Sequence, residues 1–142
     1  MNALMAGLMA CGCVSLIDAP LWPPASDYIN AAVDCRQSSN ATGCESARKS
    51  WNGDFRDAIA GKYQAQSTVA TCLSTGCDGA IKPDPMLGCA WRKVAIRTAH
   101  GQADARDTAG LEQYCSQPYL DAAGQHAADE EALALQQMLS AK

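Results

Sequence analysis

Residues that build sheets are scarce in this chain: it holds one phenylalanine, four valines and five isoleucines against 27 alanines. Strands are stabilised by β-branched and aromatic side chains, whereas alanine is the strongest helix former, so the shortage excludes a sheet-based fold and predicts an all-α chain. Charge is thin as well. Asp, Glu, Lys and Arg supply 18% of the residues, below the usual quarter, and the net charge of −4 leaves no basic excess for a nucleic acid. Metal-binding spacing is missing, because neither Cys11-Gly12-Cys13 nor the pair Cys72 and Cys77 is the C-x-x-C of zinc sites. The two histidines, His100 and His126, stand far apart, and no C-x-x-C-H is present for haem. The expectation is a chain without metal or cofactor. Its 142 residues suffice for one domain with a modest core.

No charged residue occurs from Met1 to Leu16, and within that run Leu8-Met9-Ala10-Cys11 resembles the lipobox at which bacterial lipoproteins are cleaved and acylated on cysteine. The basic residue that usually opens such a signal is absent. The alternative is a short apolar helix packed on the domain, since the run is too short for a membrane span. With Cys11 as the lipidated residue, the glycine at Gly12 resembles the pattern for delivery to the outer membrane. Pro20, Pro23 and Pro24 around Leu21-Trp22 then read as an extended tether, because proline fixes its own φ and disfavours helix in the residue before it. The chain accordingly divides into residues 1–17, a signal or lipoprotein-type segment, 18–25, a Pro-rich tether, and 26–142, a single helical domain. Trp22 shows no evident core partner and is a candidate contact for a neighbouring protein or a membrane interface.

Helix signals fill the remainder. Ser26 and Asp27 predict a helix carrying Tyr28, Ala31, Ala32 and Cys35 that ends in Gln37-Ser38-Ser39-Asn40. Thr42 and Glu45 have capping-box spacing for the next helix, which reaches Trp51 before Asn52-Gly53 breaks it. Two helices follow, from about Asp54 to Gln64 and from Ser67 to Ser74, with Phe55, Ile59 and Tyr63 as the inner stripe of the first. Asp84 and Pro85 write the start of another helix, since an Asp side chain accepts from the free N–H groups of the first turn and proline's φ suits that position. Leu87, Trp91, Val94 and Ala95 recur at helical steps on its buried side, and Gly101 can take the left-handed dihedrals that stop it. A partner helix runs through Asp104-Ala105-Arg106-Asp107 with Leu111 and Cys115 inward. A last helix, capped by Ser116 with Pro118 in its first turn, continues toward Leu139.

Eight cysteines need an oxidising compartment, because paired thiols do not persist in a reducing cytosol. In a helical hairpin, residues equally far from the turn lie level with each other, and Cys89 and Cys115 stand 13 residues either side of position 102. That spacing pairs them. Cys35 and Cys44 flank the polar turn between their helices, and Cys72 lies close to Cys77, which leaves Cys11 for lipid and Cys13 as an odd thiol.

From about Gly53 to Cys115 the residues carry a resemblance to a family. Ile81-Lys82-Pro83-Asp84, Gly88-Cys89-Ala90-Trp91 and Val94-Ala95 are similar to the Sel-one-like repeat family, a relative of the tetratricopeptide repeats. Its motif places an apolar residue three before an Asp, then a small residue, then Trp or Tyr three further on, then small residues closing the helix. Ile81, Asp84, Gly88 and Trp91 occupy those positions. Asp78-Gly79-Ala80 replaces the usual two glycines, and Gly101 falls later than in the motif. The resemblance implies antiparallel helical hairpins stacked as a short array, stapled by cross-helix disulfides as in a cysteine-rich branch of the family and closed by the last helix. It also implies a non-catalytic periplasmic protein that binds a protein partner, as an adaptor or accessory subunit of a membrane-associated complex.

The partner-binding candidates, besides Trp22, are Arg92, Lys93 and Arg97 on one hairpin and Arg56 and Lys62 on the other, read together as an exposed basic face for an acidic partner. The alternative is an envelope hydrolase or thiol enzyme. Ser46-Ala47-Arg48-Lys49 matches the S-x-x-K element in which lysine helps to activate serine, yet the Lys-Thr-Gly and Ser-Asp-Asn companions of that chemistry are absent. Cys13 is the thiol candidate. Stoichiometric co-purification of a partner marks the adaptor, and labelling by an acylating or thiol-directed probe marks the enzyme.

Overall fold

A computed structural model describes residues 21–141. Within it lie five α-helices, α1 Ala41–Ile59, α2 Tyr63–Thr75, α3 Pro85–Thr98, α4 Ala105–Tyr114 and α5 Ala122–Ser140, preceded by a coil with two short 3₁₀ turns. No strand forms among the described residues, where Ile29 and Ile81 make a single isolated bridge. The fold is all-α. α1 with α2, α2 with α3 and α3 with α4 pack on one another, α2 and α3 most extensively, and α5 lies against α3. Cys11 and Cys13, the segment 1–17 and the first residues of the tether fall outside the described residues.

The core forms where α1, α2, α3 and α5 meet, around Trp51 and Phe55, Val69 and Leu73, Trp91 and Val94, and Ala132 and Leu135. α3 supplies its centre because its start is fixed. The Asp84 side chain accepts from Leu87 N–H at 2.9 Å, which sets the helical register that turns Trp91 inward. Trp91 then packs edge-on to Phe55, with centroids 6.4 Å apart, and lies stacked with Trp22 at 5.9 Å. The expectation that Trp22 lacks a core partner is therefore corrected. Proline keeps the backbone around Trp22 extended, but the indole finds an aromatic face to cover, and burying that area outweighs leaving it in water.

Three disulfides join Cys35 to Cys44, Cys72 to Cys77 and Cys89 to Cys115. The first ties the N-terminal coil to α1. The second closes across Gly76, whose φ of 81° ends α2 in the left-handed region. The third holds the C-terminal end of α4 to α3.

Several elements differ from the sequence reading. The expected helix after Ser26 is only the 3₁₀ turns Ala25–Tyr28 and Cys35–Gln37, because between and around these local turns the stretch hydrogen-bonds to the α2–α3 connection. Asn30 N–H donates to Ala80 O at 2.9 Å, Lys82 N–H to Tyr28 O at 2.8 Å, and Ser38 Oγ to Asp78 O at 2.7 Å. Arg48 adds two bonds from its guanidinium to Asn30 O and Val33 O, both 2.9 Å. Those tertiary bonds override the helix propensity of Ala31 and Ala32. Asn40 rather than Thr42 caps α1, accepting from Gly43 N–H at 3.0 Å. α1 also passes through Asn52-Gly53 unbroken, since burial of Trp51 and Phe55 on either side offsets the cost of about 1 kcal/mol for a mid-helix glycine. Ser116 does not cap the last helix; its hydroxyl donates to Glu112 O, while Asp121 caps α5 by accepting from Gly124 N–H at 2.7 Å. Pro118 lies in the connection before it.

Helices α2 and α3 approach closely at Gly88 on α3. A Cβ there would lie 2.6 Å from Ser74 Oγ and 2.9 Å from the Ser74 backbone nitrogen, so only glycine lets α2 and α3 come this near. Gly53, by contrast, faces open space, with its nearest neighbour 3.9 Å away. Gly88→Ala is expected to destabilise the fold by about 2 kcal/mol through forced separation of the two helices. Gly53→Ala is expected to stabilise it by about 0.5 to 1 kcal/mol through helix propensity. Denaturant unfolding of the two variants side by side checks both signs.

Candidate functional site

Beside the α2–α3 crossing, α4 leans over a cleft of about 420 Å³. Its walls are Tyr63, Gln64, Ser67 and Thr71 from α2, Arg92 from α3, and Asp104, Arg106, Asp107, Gly110, Gln113 and Tyr114 from the α4 side. The volume falls in the range of small-ligand sites. Polar groups line it because α2 presents hydroxyl and amide residues here at helical spacing, with its apolar residues turned to the core.

The α4 wall is set by a capping box. Asp104 accepts from the backbone N–H groups of Arg106 and Asp107, and Asp107 Oδ2 accepts in return from Asp104 N–H at 2.9 Å. Asp107 is buried and accepts two further bonds from α2, one from Tyr63 Oη and one from Ser67 Oγ at 3.4 Å. A buried carboxylate demands such donors, and here they clamp the start of α4 onto the start of α2. Burial, reinforced by the bond to Asp107 and by the Asp107 charge, pushes the Tyr63 phenol up to about 12.

Arg92 stands opposite. It is 5% exposed, and its guanidinium lies over the Tyr114 ring at 5.1 Å. Its hydrogen bond to Thr71 Oγ1 is long, 3.4 Å, and Nε is buried with no partner. Burial pulls its pKa below the ordinary arginine value. Gly110 makes the space, for a Cβ there would lie 2.5 Å from Arg92 Nη1. Tyr114 in turn packs edge-on to Tyr119 at 5.0 Å, and Tyr119 Oη donates to Ser74 O.

The structure does not assemble the expected basic face. Arg92 is buried between α2 and α4, whereas Lys93 reaches Asp129 on α5 and Arg97 donates to Gln136 Oε1 on α5 at 3.0 Å. Arg56 and Lys62 both flank Asp57 at the end of α1, at 3.6 and 3.0 Å. The five cations are thus divided among three places. The sequence reading groups Arg92 with Lys93 and Arg97 as exposed. The available signal lies elsewhere: Gly88, Arg92, Ala95 and Ala99 repeat at helical steps, so small residues flank the arginine on one face, which is the face turned to α2. The sequence reading places Asp107 within a helix running through Asp104-Ala105-Arg106-Asp107, and its spacing of three from Asp104 is the mark of its reciprocal capping role. Ser46 and Lys49 are both exposed on α1, with no hydrogen bond between them among the described residues. No group of three or more potential metal ligands occurs among the described residues.

Compared with known proteins, the chain matches no family model, no curated protein and no solved structure.

Tyr63→Phe removes a donor from a buried carboxylate and is expected to cost about 2 kcal/mol in denaturant unfolding at neutral pH. The phenol's raised pKa means the folded state keeps a proton that the unfolded chain, titrating near 10, has lost. This contribution is whole below pH 10 and disappears as pH rises toward 12, so wild-type stability should fall across that interval more steeply than that of the Phe variant.

Proposed function

We propose that the chain is a non-catalytic binding protein of an oxidising, envelope-type compartment, an adaptor or accessory subunit that receives an acidic segment of a protein partner in the cleft between α2, α3 and α4. The observation that carries this reading is the cleft itself, an open space walled by hydrogen-bonding side chains and a buried cation, with no cysteine or histidine among its lining residues. Three disulfides support the oxidising location. Anchoring through a lipid on Cys11 belongs to the same reading, on the strength of Leu8-Met9-Ala10-Cys11. The resemblance to Sel-one-like repeats supports a protein partner, since its four motif positions are the ones that seat α3: Ile81 and Trp91 are buried, Asp84 caps, and Gly88 permits the close approach to α2.

Extraction of the full chain in mild detergent, followed by mass spectrometry, is expected to recover a partner in stoichiometric amount and a chain beginning at an acylated Cys11. Arg92→Met should lose the partner with its melting temperature retained, and Ser46→Ala should keep it. A chain recovered alone, or a cellular activity lost in Ser46→Ala, would favour the hydrolase instead.

A further inference from the structure

Exposed Lys49 aside, each of the other cations among the described residues has an anion or a carbonyl to answer it, but Arg92 does not. Lys93 has Asp129, Arg36 has Asp34, Arg106 has Asp104, Lys62 has Asp57, and Arg48 has two backbone carbonyls. The Arg92 guanidinium, by contrast, forms no ion pair among the described residues and makes one long hydrogen bond, although it carries five N–H donors and keeps its charge in proteins. A buried charge without a partner is costly, so a site that holds one next to an open cleft is incomplete as it stands. Gly110 keeps space for the guanidinium, which lies over the Tyr114 ring.

We infer that Arg92 is the ligand-contacting cation of the cleft and that the group it takes is a single carboxylate. This rests on the cleft being the binding site proposed above and adds the chemistry that it recognises. The planar fork of a guanidinium matches a carboxylate in shape and can bind both its oxygens. A dianionic phosphate is disfavoured relative to a carboxylate because Asp104 and Asp107 line the same cleft and repel each added negative charge. Arg106 is paired with Asp104 at 3.0 Å and Asp107 accepts from the Tyr63 and Ser67 hydroxyls, which leaves Arg92 as the cleft cation without an ion pair among the described residues. Gln64, Ser67, Thr71 and Gln113 then offer hydrogen bonds to whatever carries the carboxylate, which suits a Glu side chain in an extended peptide or a small free polar acid.

Amide NMR titration of the full, disulfide-intact chain tests this with four probes: a capped Gly-Glu-Gly peptide, its Gly-Gln-Gly counterpart, free glutarate and inorganic phosphate. The expected result is that the Glu peptide and glutarate shift the amides of Thr71 and Gly110, and that the Gln peptide and phosphate bind at least about tenfold more weakly. Arg92→Met should weaken both carboxylate probes by at least about tenfold. Gly110→Ala, which keeps the charge but displaces the guanidinium, should weaken them as well, which covers the case in which the Met variant folds poorly. Glutarate bound through Arg92 with the Glu peptide unbound would uphold the inference and remove the protein-partner reading. Peptide binding that is indifferent to Arg92 and to Glu against Gln would overturn the inference and leave that reading standing. Preference for phosphate, or no binding by either carboxylate probe, would also overturn it.

Discussion

The distance between α2 and α3 is the constraint on which the rest of the structure depends. Two helices whose facing residues carry ordinary side chains stay about 8–10 Å apart, and the absent Cβ of Gly88 lets these two pass nearer at Ser74 and Ala70. Arg92 lies one helical turn along the same face. It is carried into the gap beside α2 by the contact that Gly88 makes possible, and α4 closes over it with a second missing Cβ at Gly110. The same rotation of α3 turns Leu87, Trp91 and Val94 to the other side, into the aromatic core. Core and cleft are thus two consequences of one helix orientation.

The aromatic residues divide along that line. Trp22, Tyr28, Trp51, Phe55 and Trp91 form one connected cluster, in which Trp51 Nε1 donates to Ala25 O at 2.8 Å so that its polar atom is satisfied. Tyr63, Tyr114 and Tyr119 stand on the other side of α3, where their hydroxyls or ring faces meet Asp107, Arg92 and Ser74. The tryptophans, Phe55 and Tyr28 supply area to the core, and Tyr63 and Tyr114 supply a hydroxyl and a π face to the cleft. The disulfides support the weaker parts of this arrangement. α4 is the shortest α-helix among the described residues at 10 residues, and Cys89–Cys115 fastens its end to the side of α3 opposite the α1 core.

Where a signal is local, it was legible in the sequence. Asp84-Pro85 specifies a helix start through groups within one turn, and the α3 stripe follows from it. The all-α class follows from composition, and the cysteine pairs from position around turns. What stayed hidden depends on residues far apart in the chain. Ala31 and Ala32 carry helix propensity, but nothing nearby indicates that Asn30 and Tyr28 will be bonded to Ala80 and Lys82. Asn52-Gly53 has the composition of a turn, and only the burial of Trp51 and Phe55 decides for helix. Arg92 carries the same difficulty into the site: its charge suggests solvent, and its burial comes from Gly88 on its own helix together with Gly110 on another.

The bonding of the N-terminal coil to the α2–α3 connection reverses the order in which the chain is made. Residues 21–40 leave the ribosome before the groups that hold them, for Ser38 waits 40 residues for Asp78, and Asp27 waits 55 for Lys82. Trp22 waits longer still, until α3 presents Trp91. During that interval Tyr28 and its neighbours have no ring to cover beyond those of α1, and the apolar front of the nascent chain remains open to any surface that will shield it. Helices that follow one another can pair as they emerge, since their contacts are close in sequence. This early part of the domain therefore cannot find its place until the α2–α3 connection and α3 have been made.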